Sequence, residues 1–559
     1  MRPLIGIALS ALCLVSSLTL APALGAEETT AAPVAAAAEA EPVPAPAADA
    51  AIPAAPLAAA PAPALKIEAP ASRQPDPSGA NTGAAYDVKT GETSLLDLAN
   101  AVGHNKVAIN MMWVLLTGFL VMFMQAGFAM VETGFTRAKN ACHTMAMNFM
   151  IYPLGMLGFF ICGFAFMFGG LGGIGTMGGY DGLNHEISLH LFGKDFGILG
   201  WKGFFLSGSA YDVAVYALFL FQMVFMDTTA TIPTGSMAER WKYSSFFLYG
   251  WFVGTIIYPI YGNWVWGGGW LATLGKNFAL GHGHVDFAGS SVVHLTGGVL
   301  ALVGGWIIGP RIGKYNRDGS VNAIPGHNIP MAIIGTFILA FGWFGFNPGS
   351  TLAGTDLRMA VVATNTMLAS ATGAMAATLW MWIFRTKKPD PSMMANGLLA
   401  GLVAITAPCA FVNAASACLI GLIAGIVVVE AAFFIDQKVK VDDPVGAIAV
   451  HGVNGIWGCL ALGLFADGSY GDGWNGVPGA VTGLFYGDAS QFLAQLIGVA
   501  ANVVYVGIVG FIVFKVIDAV VGLRVSADQE LEGLDVPEMG VVGYSGVVAD
   551  KVVETPVSL

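Results

Sequence analysis

Apolar residues fill long uninterrupted runs in this chain, and the polar residues collect between the runs. From about residue 108 onward there are eleven such runs, at approximately 108–131, 143–168, 210–235, 244–265, 287–309, 328–347, 357–385, 394–412, 416–436, 444–465 and 488–521. Each is close to the roughly 20 residues a helix needs to cross hydrocarbon. The pattern predicts an all-α membrane protein with eleven transmembrane helices. Ahead of these runs, residues 1–26 hold Arg2, an apolar core from Leu4 to Leu20 and a small-residue end, which reads as a cleavable secretory signal. Residues 27–100 are dominated by Ala and Pro and read as a disordered tether. The transmembrane domain then occupies 101–522 and a tail 523–559.

Basic residues orient the helices. Arg137 and Lys139, Arg240 and Lys242, Arg311, Lys314 and Arg317, then Arg385, Lys387 and Lys388, and Lys438 and Lys440 fall in alternate loops, which are predicted to be cytoplasmic. The opposite loops carry only Lys194, Lys202, Lys276 and Arg358. An odd number of spans with the amino terminus outside puts the tail inside. Helices one to five and six to ten then form two halves of opposite topology, a five-plus-five inverted repeat that brings the fifth and tenth helices together antiparallel.

Composition agrees with a chain mostly in lipid: 55% of the 559 residues are hydrophobic and 11% charged, where a soluble domain has about a quarter charged. The formal net charge of −12 argues against nucleic acid as a partner. The six cysteines have no metal-binding spacing. Cys409 and Cys418 lie near one helical hairpin and would pair only if oxidised; buried free thiols are the favoured reading.

Two stretches are built alike. Asp286-Phe-Ala-Gly-Ser-Ser-Val-Val-His294 and Asp443-Pro-Val-Gly-Ala-Ile-Ala-Val-His451 each open an apolar helix and place a histidine about two turns inside. Ionisable residues in spanning helices are rare and face a partner or cavity. Small residues (Gly289, Ser290, Gly297 and Gly298 in one; Gly446, Ala449, Gly452 and Gly455 in the other) permit close approach, so the two rings are expected to share a hydrogen bond. The plain alternative is that each ring bonds a nearby carbonyl. Asp286 and Asp443 suit the capping of helix starts, and Asp286 also makes the outer entrance attractive to a cation.

At the outer face, Phe221 and Phe225 share one side of a helix, Trp266 follows the fourth run, and Phe346 and Ser350 end the sixth. Aromatic faces with one hydroxyl hold a small cation, but pattern alone favours an interfacial aromatic belt. His185 and His190, and likewise His282 and His284, read as solvated loop histidines, with metal binding as the minor alternative, and His104, His143 and His327 near helix ends read as solvated too. With no nucleophile, metal set or cofactor motif in sight, the chain does not read as an enzyme, and no cofactor or metal is expected.

Ordered motifs now carry a resemblance: Gly134-Phe-Thr-Arg-Ala-Lys-Asn140, Met237-Ala-Glu-Arg240, Trp266-Gly-Gly-Gly, the two histidine stretches, Gly342-Trp-Phe-Gly-Phe-Asn347, and Gly522-Leu-Arg-Val through Glu-Gly-Leu-Asp535. Over about residues 108–540 the chain resembles the ammonium transporter (Amt/Mep/Rh) superfamily, in particular its bacterial Amt branch. The resemblance implies a homotrimer in the lipid of a bacterial inner membrane, with a pore in each subunit. It implies that Phe221, Phe225, Trp266 and Ser350 recruit ammonium or methylammonium, that Phe225 and Phe346 form a gate, that His294 and His451 line a dry pore, and that Asp286 is a structural and electrostatic aspartate. A PII-type regulatory protein on the inner face is a further implied partner. The tail weakens that last expectation, because Gly533-Leu-Asp535 continues as Val-Pro-Glu-Met-Gly540. Gln125, Glu132 and Asp227 also depart from the family pattern. Glu132 and Asp227 read first as hydrogen-bonded packing residues, with altered proton handling by Glu132 as the sharper alternative. An ammonium sensor signalling through the tail or a PII-type partner is the second functional reading.

Overall fold

In hydrocarbon every backbone N–H and C=O must be paired within the protein, so the long apolar runs fold as helices. The computed structural model describes residues 95–544. The expected signal segment (1–26) lies outside the described residues, as does the expected tether (27–100) apart from its last six positions, which are helical. The helices are α1 (Leu95–Phe135), α2 (Ala138–Phe168), α3 (Val213–Ser236), α4 (243–265), α5 (Ser290–Ile308), α6 (Ile329–Thr351), α7 (Met359–Arg385), α8 (Pro391–Ile405), α9 (Ala414–Val439), α10 (Ile448–Phe465) and α11 (Ala489–Val521). Two short helices, α12 (Ala527–Glu532) and α13 (Asp535–Met539), follow in the tail.

Among the described residues, nine helices are long and apolar enough to cross a membrane. The two predicted spans outside that set are helical as well. Tyrosine, tryptophan and glycine dilute the apolar character of α4, and α8 has only 15 residues, fewer than the roughly 20 of a full crossing. Side chains cap several helix starts: Asp212, Asn328, Asp390, Asn413 and Asp488 each accept from a backbone N–H of the first turn. At 41 residues α1 is about 60 Å long, twice the hydrocarbon thickness of about 30 Å. Its polar beginning, with Asn100, His104, Asn105 and Lys106, hid that extension from an apolar reading.

Between α2 and α3 the chain forms an antiparallel hairpin of β1 (Glu186–Leu191) and β2 (Lys194–Gly200). Its tight turn uses Phe192 and Gly193, both at positive φ, as two-residue hairpin turns require. Glu186 turns inward, accepting from Asn263 Nδ2 at 3.1 Å and Leu199 N at 3.1 Å, and burial pushes its carboxyl up to about 7.

The opposite face is tied together by ion pairs. Arg311 forms a two-pronged bond to Asp442 (Nε–Oδ2 2.8 Å, Nη2–Oδ1 2.9 Å) and reaches Glu239 at 2.9 Å, while Arg137 pairs with the same Glu239. Arg240 donates to the carbonyls of Gly309 and Asp442. The tail joins this seam: Glu530 pairs with Arg524 and accepts from Ile312 N, Asp535 accepts from His143 N, and Glu538 accepts from Tyr243 N. The basic loops assigned to one side by sequence around residues 137, 240 and 311 do share one face. Burial works to raise the Asp442 carboxyl, but the Arg311 bonds and the Arg311 and Arg240 charges outweigh it and hold the group well below the usual carboxylate range.

At the centre α5 and α10 cross. A Cβ on Gly298 would overlap the backbone N and Cα of Gly452, one on Gly455 would lie 2.7 Å from the Ser290 carbonyl oxygen, and one on Gly458 would lie 2.6 Å from Ser290 Oγ. Position rises along one helix as it falls along the other, so the crossing is antiparallel, as the topology predicted. Small residues allow this contact where no hydrophobic force drives helices together.

Two outcomes test this packing. Gly298→Val overfills the crossing and is expected to cost about 1–3 kcal/mol, lowering the unfolding temperature in detergent. Asp442→Asn leaves the buried Arg311 guanidinium with Glu239, already shared with Arg137, as its one carboxylate partner and is expected to cost about 3 kcal/mol. Because the folded Asp442 carboxyl titrates below its ordinary value of 3.8, its contribution is fully present above that pH and is lost as pH falls further. Melting curves at pH 7 and 5 should therefore show the same gap between wild type and Asp442→Asn, and the gap should close only below about pH 4.

Candidate functional site

The histidine stretches do not start their helices where sequence spacing placed them. Residues 286–289 form a loop, Gly289 adopts φ +120°, and the helix begins at Ser290, so His294 sits in its first turn rather than two turns inside. The second stretch repeats this, with Gly446 at φ +81° and the helix running from Ile448. Both carboxylates nevertheless cap. Asp286 Oδ1 accepts from Gly289 N and Ser290 N at 2.8 and 2.9 Å; its Oδ2 accepts from Ser291 N, Ser291 Oγ and Val292 N at 2.7, 2.7 and 3.0 Å. Asp443 accepts from Gly446 N and Ile448 N.

Both turns are also widened. His294 N–H reaches back five residues to the Gly289 carbonyl at 3.0 Å. A widened turn leaves carbonyls short of their usual partners, and side chains fill in: Thr296 Oγ1 and Asn502 Nδ2 donate to Ser291 O, and Asn454 Nδ2 donates to Ala449 O. Four other π-turns among the described residues, at Phe159–Gly163, Val253–Ile257, Met381–Arg385 and Ile435–Val439, lie away from the histidines, so what sets these two apart is the pair they carry.

The result is a bonded histidine pair. His294 Nδ1 and His451 Nδ1 are 3.1 Å apart, with ring centroids at 5.2 Å and planes within 22°. In the neutral pair one Nδ1–H donates and the other Nδ1 accepts. His294 is fully buried, its Nε2 has no hydrogen-bond partner among the described residues, and its ring also stacks on Trp343 at 5.3 Å.

Above the pair the aromatic residues form a column. Phe221 and Phe225 lie 4.7 Å apart, Phe225 stacks on Phe346 at 4.2 Å and 27°, and Phe346 lies 5.4 Å from His294. Trp266 meets Phe225 edge-on at 6.1 Å and donates Nε1–H to the Asp286 carbonyl at 2.7 Å. Ser350 Oγ donates to the Phe346 carbonyl at 2.8 Å, fixing the hydroxyl to the backbone of a column residue. On the far side His451 meets Phe128 at 6.1 Å and lines a small cavity of about 20 Å³, room for about one water-sized molecule. The expected residues thus form one continuous series of contacts, and the rings of Phe225 and Phe346 are fully buried.

Several expectations are corrected. His282 and His284 are not solvated: both are buried, bonded to the Gly479 carbonyl at 2.8 Å and to Ser291 Oγ at 2.9 Å, because the loop folds against α11 through Gln491 and Gln495. His143 is buried as well, against Tyr243. His185 and His190 are exposed. His284, Asp286 and Cys459 offer ligating atoms within 4.8 Å of one another, but five donors already occupy the Asp286 carboxylate. Cys409 and Cys418 are free thiols, the first buried and the second partly so. Gln125 and Glu132 are hydrogen-bonded between helices, whereas Asp227, expected to be so, is buried with no partner for Oδ1 among the described residues. Sequence reasoning gave Trp343 only a place in the aromatic end of the sixth run and missed Phe128, Thr296, Asn454 and Asn502. Only Trp343 left a signal, three residues before Phe346 and so on its face of α6.

Comparison with known proteins identifies the family. The model of the Ammonium Transporter Family matches residues 112–544. Ammonium transporter Amt2 of Archaeoglobus fulgidus is 46% identical over 457 residues, spanning 81% of this chain and 92% of that protein. Ammonium transporter Amt1 of Haloferax mediterranei is 35% identical over 463 residues, spanning 80% of this chain and 82% of that one. Among solved structures, a protein described as Sensor Amt Protein superposes with TM-score 0.67 and 38% identity over 78% of this chain and 99% of its own. Mep2 of Candida albicans gives TM-score 0.62 and 26% identity over 76% and 87%. A family match across most of the length, on a bundle of apolar helices, establishes that the chain is a multi-pass membrane protein belonging to the Ammonium Transporter Family.

Proposed function

We propose that this chain is an ammonium transporter that takes up ammonium at its aromatic face and passes ammonia along the histidine pair. The observation that carries the reading is the buried His294–His451 bond directly beneath the Phe225–Phe346 stack. Trp266, Phe221, Phe225 and the Ser350 hydroxyl offer ring faces and one acceptor to a small cation. Moving a full charge through the closed column is costly, so the ion leaves a proton before the rings of Phe225 and Phe346. Neutral ammonia then meets two imidazoles that supply hydrogen-bond partners without fixed charge. Potassium has no proton to leave and is refused. Asp286 acts here through structure and field, since its oxygens are engaged by the start of α5.

The working form is a homotrimer with eleven crossings per subunit in two inverted halves, its amino terminus outside and its tail inside a bacterial inner membrane. A PII-type protein docking on the inner face is a secondary proposal. A second reading, ammonium sensing, is favoured by one observation: the similarity to the solved Sensor Amt Protein.

Current from the purified protein in liposomes separates the readings. An ammonium jump is expected to give a current and a potassium jump none; silence to both, with no change of internal pH, would favour sensing. His294→Ala is expected to abolish selectivity or current while leaving the unfolding temperature near that of wild type. An unchanged, selective current in that variant would remove the histidine pair from the mechanism.

A further inference from the structure

The cavity below His451 holds a group that the pathway above does not use. Glu132 lines it together with Phe128, Ile232, Leu339, Val445 and His451. Apart from Glu132, His451 and Asn396, every side chain lining the cavity is apolar. Glu132 comes from α1 and is almost fully buried. A carboxylate in such surroundings is costly unless its oxygens are bonded, and these are: Asn148 Nδ2 donates to Oε2 at 2.7 Å, and Thr234 Oγ1 lies 2.9 and 2.8 Å from Oε1 and Oε2.

Thr234 adds a feature that packing alone does not require. Its hydroxyl has one hydrogen but two acceptors in reach, the Glu132 carboxylate and the Thr231 carbonyl. When Glu132 is charged, Thr234 donates to it. When Glu132 is protonated, its O–H donates to Thr234 Oγ1 and the threonine hydrogen turns to Thr231 O. Both protonation states are therefore hydrogen-bonded with no movement beyond a hydroxyl rotation. Behind them, Gln125 Nε2 donates to Thr231 Oγ1 at 2.9 Å, and Thr231 Oγ1 donates to Asn148 Oδ1 at 2.9 Å, which holds Asn148 with its amide toward Glu132.

We propose that Glu132 is the inner proton acceptor of the pathway, receiving the proton relayed by the histidine pair and returning it to ammonia in the cavity. The proposal rests on the transport reading. In the first step an N–H bond breaks at His451 and an O–H bond forms at Glu132, the proton crossing on a water or ammonia molecule in the cavity. In the second the O–H bond breaks, an N–H bond forms on ammonia, and ammonium leaves with Glu132 again a carboxylate. Asp443, which interacts electrostatically with Glu132, is the further carboxylate at that end.

The test is Glu132→Gln in liposomes carrying an internal pH dye, with current and dye read on the same ammonium jump. Loss of at least tenfold of the current, with internal alkalinisation still faster than in protein-free vesicles, is the expected result, and Glu132→Asp should recover part of the current. An unchanged Glu132→Gln current overturns the proposal. So does joint loss of current and alkalinisation in a folded variant, which would make Glu132 a packing residue only. If Glu132→Gln does not fold, Thr234→Val carries the test: a several-fold loss of current supports the proposal and no loss overturns it. Wild-type protein that alkalinises the lumen without current would remove the proton step and leave ammonia transport standing; wild-type protein that does neither would remove the transport reading itself.

Discussion

Two imidazole rings can bond only if the helices that carry them come closer than ordinary side chains allow, and most of this structure follows from that demand. Gly298 and Gly452 meet backbone to backbone, and Ser290 fits against Gly455 and Gly458. Closeness alone would still leave the rings pointing past one another. The widened turns at Ser290–Leu295 and Ile448–Val453 bring His294 and His451 face to face, and in doing so deprive carbonyls of their regular partners. Thr296, Asn454 and Asn502 repair that loss, so the pair depends on polar groups from α5, α10 and α11 at once.

The two faces answer different physical problems. On one, charged groups from four loops and the tail neutralise each other in a buried seam around Arg311, which resists acid because its aspartate titrates low. On the other, uncharged rings and one hydroxyl lead into a buried aromatic column. Asp286 stands just behind it, with its charge spread over four backbone N–H groups and one hydroxyl.

Much of this architecture is legible in the amino-acid sequence. The apolar runs mark the helices because a spanning helix is long and uniformly apolar, and the histidines stand out because a polar group inside such a run needs a reason. The aromatic column is harder to read. Phe225 and Phe346 belong to different helices, and residues alone favour an interfacial belt; only the family resemblance points to a site. The widened turns are hard to see in the sequence, since no residue pattern marks them and one of the groups that repairs the first, Asn502, lies far away along the chain. The burial of His282 and His284 escapes a sequence reading because a glycine-rich loop looks solvated until Gln491 and Gln495 are seen gripping it. Asp227 has no partner at Oδ1 among the described residues, and nothing in the structure explains its place in α3.

The Nδ1-to-Nδ1 contact has a consequence for timing. A hydrogen shared between those two nitrogens points one way or the other, and moving a proton through the pair reverses it. A proton taken up at one ring's Nε2 and released from the other's leaves the first Nε2 occupied and the second bare. The same transfer cannot be repeated from that state until the hydrogens return to their starting atoms. Such a pair behaves as a latch with two settings, and any cycle that drives protons through it contains a resetting stroke whose speed would be felt by replacing hydrogen with deuterium.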